Sequence, residues 1–199
     1  MSIALNNKVL TEAIGAPEGV ALRVQQMALV LLGIAALAVC AKITVPMWPV
    51  PITMGTFAVL TIGAAYGPRL GLATILGYML IGVLGFDVFA SSSAESYGIT
   101  YMMGGTGGYL VGYVLATLAL GYAARQGWDR SVGTMAGALV VGNALIYIPG
   151  LLWLGVLYGW DKPLLEWGFT PFIAGDAIKL VLAALLIPAV WKLVGKARG

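Results

Sequence analysis

Charged positions cut the chain into long apolar runs. Uncharged stretches cover 24–41, 43–68, 70–86, 96–124 and 131–160. A further stretch from 167 is interrupted only by Asp176 and Lys179 before Lys192. An ionised side chain at the centre of a bilayer helix costs about 3 kcal/mol, and about 20 apolar residues are needed to cross. The runs therefore predict six transmembrane helices, near 24–43, 51–67, 70–87, 105–124, 132–156 and 171–193. Closed β-barrels, the other structure viable in lipid, need strands that alternate apolar and polar residues. Runs such as Ala28 to Ala41 do not alternate.

Composition agrees. Of 199 residues, 60% are hydrophobic and only 19 are charged (11 basic plus 8 acidic), where a soluble domain of this length carries roughly 50. Gly contributes 28 residues without a Gly-X-Y period, so collagen and low-complexity disorder are excluded. The single cysteine, Cys40, permits no intrachain disulfide. With no histidine, haem ligation, imidazole zinc sites and Ser-His hydrolysis lack their usual parts. No metal or cofactor site is expected, and nothing points to nucleic acid.

An inward-facing N-terminus places Lys8, Arg23, Arg69, Arg125, Arg130, Lys192, Lys196 and Arg198 on the cytoplasmic side. The outer loops then hold only Lys42 and Lys162 as basic residues, against Asp87, Glu95, Asp161 and Glu166. This positive-inside bias puts both termini in the cytoplasm. Trp48, Trp160 and Trp167 fall near the outer ends, and Trp128 and Trp191 near the inner ones. Residues 1–23 lack a continuous apolar core and read as a cytoplasmic arm, not a cleavable signal. Residues 24–193 form the transmembrane domain and 194–199 a tail. Gly63 and Gly67, Gly108 and Gly112, and Gly133 and Gly137 are spaced for close helix packing, or else for docking another membrane protein.

Three segments carry candidate chemistry, and all belong to the outer loops or the outer ends of spans. In Pro46–Met54, three prolines within six residues forbid a helix and predict a stiff, extended loop. Thr53 and nearby amides are its candidate ligand contacts, the alternative being a rigid connector. From Asp87 to Tyr109, a Ser-rich loop containing Ser92 precedes Gly104-Gly105-Thr106-Gly107-Gly108-Tyr109. Thr106, Gly107 and Tyr109 can meet a ligand there, or the glycines serve only a turn and packing. Walker spacing is absent, so this is not a nucleotide loop. In the last span, Asp176 and Lys179 lie on one face, roughly 7 and 12 Å below a helix start at Pro171. A submerged ionisable pair marks a functional site by default, the alternative being a self-satisfied structural pair. Together the segments describe an outward-facing pocket for a small amphipathic ligand. Tyr97, Tyr109, Tyr147 and Trp153 are candidate walls, and Asn143 a polar contact from mid-span.

At these segments the sequence resembles the BioY family, the biotin-specific substrate-binding components of energy-coupling-factor (ECF) vitamin transporters. The resemblance runs from about residue 24 to 193. Its carriers are Pro49-Val50-Pro51-Ile52-Thr53-Met54, Thr56-Phe57-Ala58-Val59, Gly67-Pro68-Arg69 with Gly71, Thr106-Gly107-Gly108-Tyr109-Leu110, and Pro171-Phe172 with Gly175-Asp176 and Lys179. Many family members have Gln where this chain has Gly55, and Gly-Pro-Thr where it has Gly104-Gly105-Thr106. The family's frequent Ala-x-x-x-Ala docking pattern in the first helix is reduced to Ala36 and Cys40. The resemblance implies an all-α, six-span S-component bundle that imports biotin with a membrane coupling subunit (EcfT type) and two cytoplasmic ATPases. It assigns the ureido ring to Asp176 and the valerate carboxylate to Lys179, with a swapped pose open. The alternatives are an S-component for another small vitamin or organic anion and, in a different class, an intramembrane enzyme using Asp176 as base.

Overall fold

Leu- and Ala-rich runs favour long helices, and the chain forms them over most of its uncharged stretches, the Pro-rich 43–54 excepted. The computed structural model describes residues 8–14, 18–90 and 96–197. A short helix α1 (Leu10–Ile14) precedes α2 (Gly19–Lys42). Strands β1 (Thr44–Val45) and β2 (Ile52–Thr53) follow, then α3 (Gly55–Val83) and the short α4 (Gly98–Met102). Next come α5 (Gly107–Arg125), a 3-10 turn at Trp128–Arg130, and α6 (Val132–Tyr158). A short α7 (Leu164–Gly168), a second 3-10 turn and α8 (Ile173–Ala197) complete the chain.

Five helical stretches are long and apolar enough to cross a bilayer: Gly19–Lys42, Gly55–Val83, Gly107–Arg125, Val132–Tyr158 and Leu164–Gly195. The second of these joins what the charge pattern divides in two. Gly67 breaks α3 with φ 75° and ψ 178°, a left-handed value costly for any residue with a Cβ. Pro68 then starts the next arm, where its missing N–H is no loss. The arms fold back on each other. A Cβ placed on Gly71 would lie 3.7 Å from the Cα of Gly63, whereas residues eight apart on a straight helix are about 12 Å apart.

α5 fits between both arms of α3 and α6, while α2 packs on α3, and α8 on α6 and α3. Glycine lets these backbones meet: a Cβ on Gly112 would fall 2.6 Å from the Cα of Ile146, and one on Gly121 2.6 Å from the carbonyl carbon of Gly67. Of the small-residue pairs, Gly63 and Gly67 and Gly108 and Gly112 are packed in this way. Gly133 and Gly137 face open space. Leu31, Leu32, Val39, Leu182 and Leu185 point outward and are exposed, as lipid-facing positions should be.

The Pro-rich segment is more ordered than an extended loop. β1 and β2 pair antiparallel, Thr44 with Thr53 and Val45 with Ile52, and the prolines occupy the connecting tip. At that tip Trp48 stacks edge-on against Tyr158 (5.4 Å) and Trp167 (5.1 Å). At the other end of the bundle, part of the expected N-terminal arm is docked. Val9, Leu10 and Ala13 are buried, Val9 lies under Gly67, and Glu12 pairs with Arg125 at 2.6 Å. Close by, Asp129 is wholly buried, accepts from Trp191 Nε1 and lies 3.3 Å from Arg130, whose guanidinium covers the Trp191 ring. Burial pushes the Asp129 carboxyl upward, against the lowering pull of Trp191 and Arg130.

Candidate binding site

The α8 register brings Asp176 and Lys179 to the bundle interior, 3% and 6% exposed, with Lys179 Nζ 2.8 Å from Asp176 Oδ1. A buried carboxylate is tolerable only when its lone pairs are used. Here each oxygen accepts twice. Oδ1 accepts from Lys179 and from the Thr56 hydroxyl (3.4 Å); Oδ2 accepts from the Tyr147 hydroxyl (2.6 Å) and Asn143 Nδ2 (3.2 Å). The ammonium likewise spends its three protons, on Asp176, on the Thr53 carbonyl (2.6 Å) and on Thr56 Oγ1 (3.1 Å). Four elements thus meet at one ion pair: β2, α3, α6 and α8. Asn143 Oδ1 is buried and has no partner among the described residues.

Beside this pair lies a narrow cavity of about 650 Å³, counted to the atoms of its walls and including its mouth. Val50, Pro51 and Thr53 of the β-ribbon form one wall, and Gly55 and Thr56 at the α3 start another. Tyr78, Phe89, Tyr101, Tyr109, Tyr113 and Tyr147 supply an aromatic lining, with Thr106 and Lys179 as polar points. Phe89, a loop residue 1% exposed, stacks on Tyr101 at 4.8 Å and meets Tyr78 edge-on at 5.4 Å.

Of the residues expected from sequence, Thr53, Thr106, Tyr109, Tyr147 and Lys179 share this lining. Asp176 and Asn143 stand behind it, held in the hydrogen-bond network. Thr53 turns its carbonyl to Lys179 while its hydroxyl accepts from the Gly55 amide (2.9 Å). Tyr109 also donates to the Gly168 carbonyl (2.7 Å), tying α5 to α7. Gly107 does not face the cavity; Met102 and Trp153 fill the space beside it, so its missing side chain serves packing. Trp153 donates to the Gly104 carbonyl and Tyr97 is exposed, so neither is a wall. Ser92 lies outside the described residues.

Sequence reasoning missed Thr56, Tyr113, Tyr101, Tyr78 and Phe89 as site residues. Two of them carried a signal. Tyr113 follows Tyr109 by four residues and therefore shares its helix face, and Thr56 follows Thr53 across the strand-to-helix junction. Gly55 also gains a reason: a Cβ there would stand 3.0 Å from the Tyr113 hydroxyl.

Comparison with known proteins completes the picture. The family model described as BioY family matches residues 11–196. A "Probable biotin transporter BioY" of Pyrococcus horikoshii is 35% identical over 165 residues, which covers 83% of this chain and 95% of that protein. The "Biotin transporter BioY" of Thermotoga maritima is 33% identical over 152 residues, covering 76% and 87%. Among solved structures, the S-component for biotin from an ECF-type ABC transporter superposes with a TM-score of 0.72. That superposition covers 88% of this chain and 95% of the other at 20% identity, a likeness of fold. By a family match spanning nearly its whole length, the chain belongs to the BioY family.

Proposed function

We propose that this chain binds biotin from the outer side of a prokaryotic cytoplasmic membrane. It then serves biotin uptake as the substrate-binding component of an ECF-type transporter. The observation that carries the reading is the buried Asp176–Lys179 pair at the wall of an aromatic cavity. Biotin offers a carboxylate for an ammonium, ureido N–H groups for a carboxylate or carbonyl, and a thiophane ring for apolar walls. Lys179 faces the cavity and takes the ligand carboxylate by exchanging one of its present acceptors. Asp176, one layer deeper, fixes the ammonium in place. It reaches ureido donors directly only if Tyr147 or Lys179 swings aside.

The β1–β2 ribbon is the natural cover. One strand lines the cavity while its tip rests on Tyr158 and Trp167. Parting those edge-on contacts opens the mouth without disturbing the ion pair. In this reading each arm of the α3 hairpin counts as a span, giving six spans with both termini cytoplasmic, and a coupling subunit with two cytoplasmic ATPases supplies the energy.

Two experiments test the proposal. Equilibrium binding to detergent-purified protein should rank biotin above desthiobiotin, lipoate and thiamine; an equal ranking rejects the substrate and leaves another small vitamin or organic anion. Biotin uptake should fall when the coupling subunit is deleted from the host, and uptake indifferent to that deletion removes the partner requirement.

A further inference from the structure

A second cavity lies at the opposite end of the bundle, where Arg69, Arg125 and Arg130 collect. α2 has 24 residues and spans about 36 Å, whereas the two arms of α3 span about 20 and 24 Å. Their outer ends are level, because Lys42 at the end of α2 pairs with Asp87 just beyond α3. α2 therefore overhangs the hairpin apex. Beneath that apex α1 fills part of the space, and the rest is a recess of about 860 Å³, counted to its walls and including its mouth.

Its lining is amphipathic. Leu22, Gln25, Gln26 and Leu29 present one face of α2; opposite stand Leu70 and Arg69 of the second α3 arm, and Glu12 with Arg125. Arg125 is neutralised by Glu12 at 2.6 Å. Arg69 has no ion pair or hydrogen bond among the described residues, so two guanidinium groups face one carboxylate. Arg69 is exposed at the hairpin apex, so its guanidinium is open to an anion arriving at that end of the bundle.

We propose that this recess binds a phosphate-bearing anion through the Arg69 guanidinium, whose planar fork matches two phosphate oxygens. The Gln26 amide lies within the same lining as a further donor, and Leu22, Leu29 and Leu70 give apolar contact beside the charge. The shared chemistry is that of an acidic phospholipid headgroup and of a soluble phosphate.

The test uses the full chain in detergent, with binding read by native mass spectrometry. Its probes are phosphatidylglycerol, phosphatidylcholine with the same acyl chains, and inorganic phosphate as competitor. The wild type should prefer phosphatidylglycerol, and Arg69→Gln should weaken it by about fivefold, the worth of one cation near an anionic surface. Lys192→Gln, an equal change of charge outside the recess, should leave the preference intact. Displacement of the lipid by millimolar phosphate, again dependent on Arg69, supports the site and assigns it to a soluble anion. Equal affinity in wild type and Arg69→Gln, or an equal fall in Lys192→Gln, overturns it. If Arg69→Gln does not fold, Arg69→Lys keeps the charge without the fork: a reduced preference supports the proposal and an unchanged one overturns it.

Discussion

Replacing Lys179 by Met keeps the side-chain length and removes only the ammonium. Three hydrogen bonds go with it, to Asp176, Thr53 and Thr56. The Asp176 carboxylate then stays buried with Thr56, Asn143 and Tyr147 as its donors but no cation. Breaking a buried pair from one side costs about 3 to 5 kcal/mol. Three neutral donors remain, which sets the expectation at the lower end, about 3 kcal/mol or roughly 150-fold in the folding equilibrium. Adding Asp176→Asn removes the stranded charge yet keeps an oxygen for the Tyr147 hydroxyl. The double variant should therefore regain about 1.5 kcal/mol over Lys179→Met alone, by relief of the unpaired charge. Reversible unfolding in mixed micelles, run on wild type, both singles and the double, closes the cycle. A Lys179→Met variant within about 0.5 kcal/mol of wild type, or a double no more stable than that single, would refute the coupling; surface substitutions fall within that range.

Other expectations follow from the same packing. Gly112→Ala puts a methyl 2.6 Å from the Ile146 Cα, so α5 and α6 must part, and a loss of about 1 to 3 kcal/mol is expected in the same unfolding assay. Gly137→Ala, which meets nothing within 4 Å, should instead gain up to about 1 kcal/mol from helix propensity; equal effects at the two sites would contradict the helix contacts described. The Asp129 carboxyl is raised above its ordinary value of 3.8 by burial, so the folded state holds its proton more tightly than the unfolded one. Its contribution is thus fully present below that ordinary value and is lost as pH rises toward the folded value. Asp129→Asn keeps an acceptor for Trp191 and should flatten that decline; wild-type and variant unfolding midpoints that run parallel from about pH 4 to 7, the range above a free carboxyl, would sink the assignment.

What could be read from sequence was what charge and covalent geometry dictate. Asp176 and Lys179 were visible because each interrupts an apolar run, and the two arms of α3 were separable because the charge of Arg69 divides their apolar stretches; the roles of Gly67 and Pro68 in the turn emerge only from the fold. The β-ribbon was not visible. Strands of two residues leave no alternation to detect, and the prolines that exclude a helix also mask a hairpin. Docking of Val9 under Gly67, with Leu10 and Ala13 buried beside it in sequence, was hidden for a similar reason, since a five-residue helix has no period of its own. The aromatic lining was only half legible. Tyr109 and Tyr147 were singled out, while Tyr78, Tyr101 and Phe89 sit in contexts indistinguishable from core, and only the fold turns them to one cavity. Gly107 shows the converse: a glycine beside a threonine suggests backbone approach by a ligand, yet Met102 and Trp153 take that space.

The central claim is that the cavity beside Asp176 and Lys179 is where biotin sits. Equilibrium binding of labelled biotin to purified wild type, Lys179→Ala and Asp176→Asn tests it, with Lys192→Ala as a charge-matched control on the exposed part of α8. Truncating one partner of a buried, hydrogen-bonded charge pair costs about 2 to 5 kcal/mol, so Lys179→Ala should bind at least about 30-fold more weakly than wild type. Asp176→Asn should weaken binding as well, and Lys192→Ala should match wild type. Wild-type affinity in a folded Lys179→Ala protein would contradict the claim.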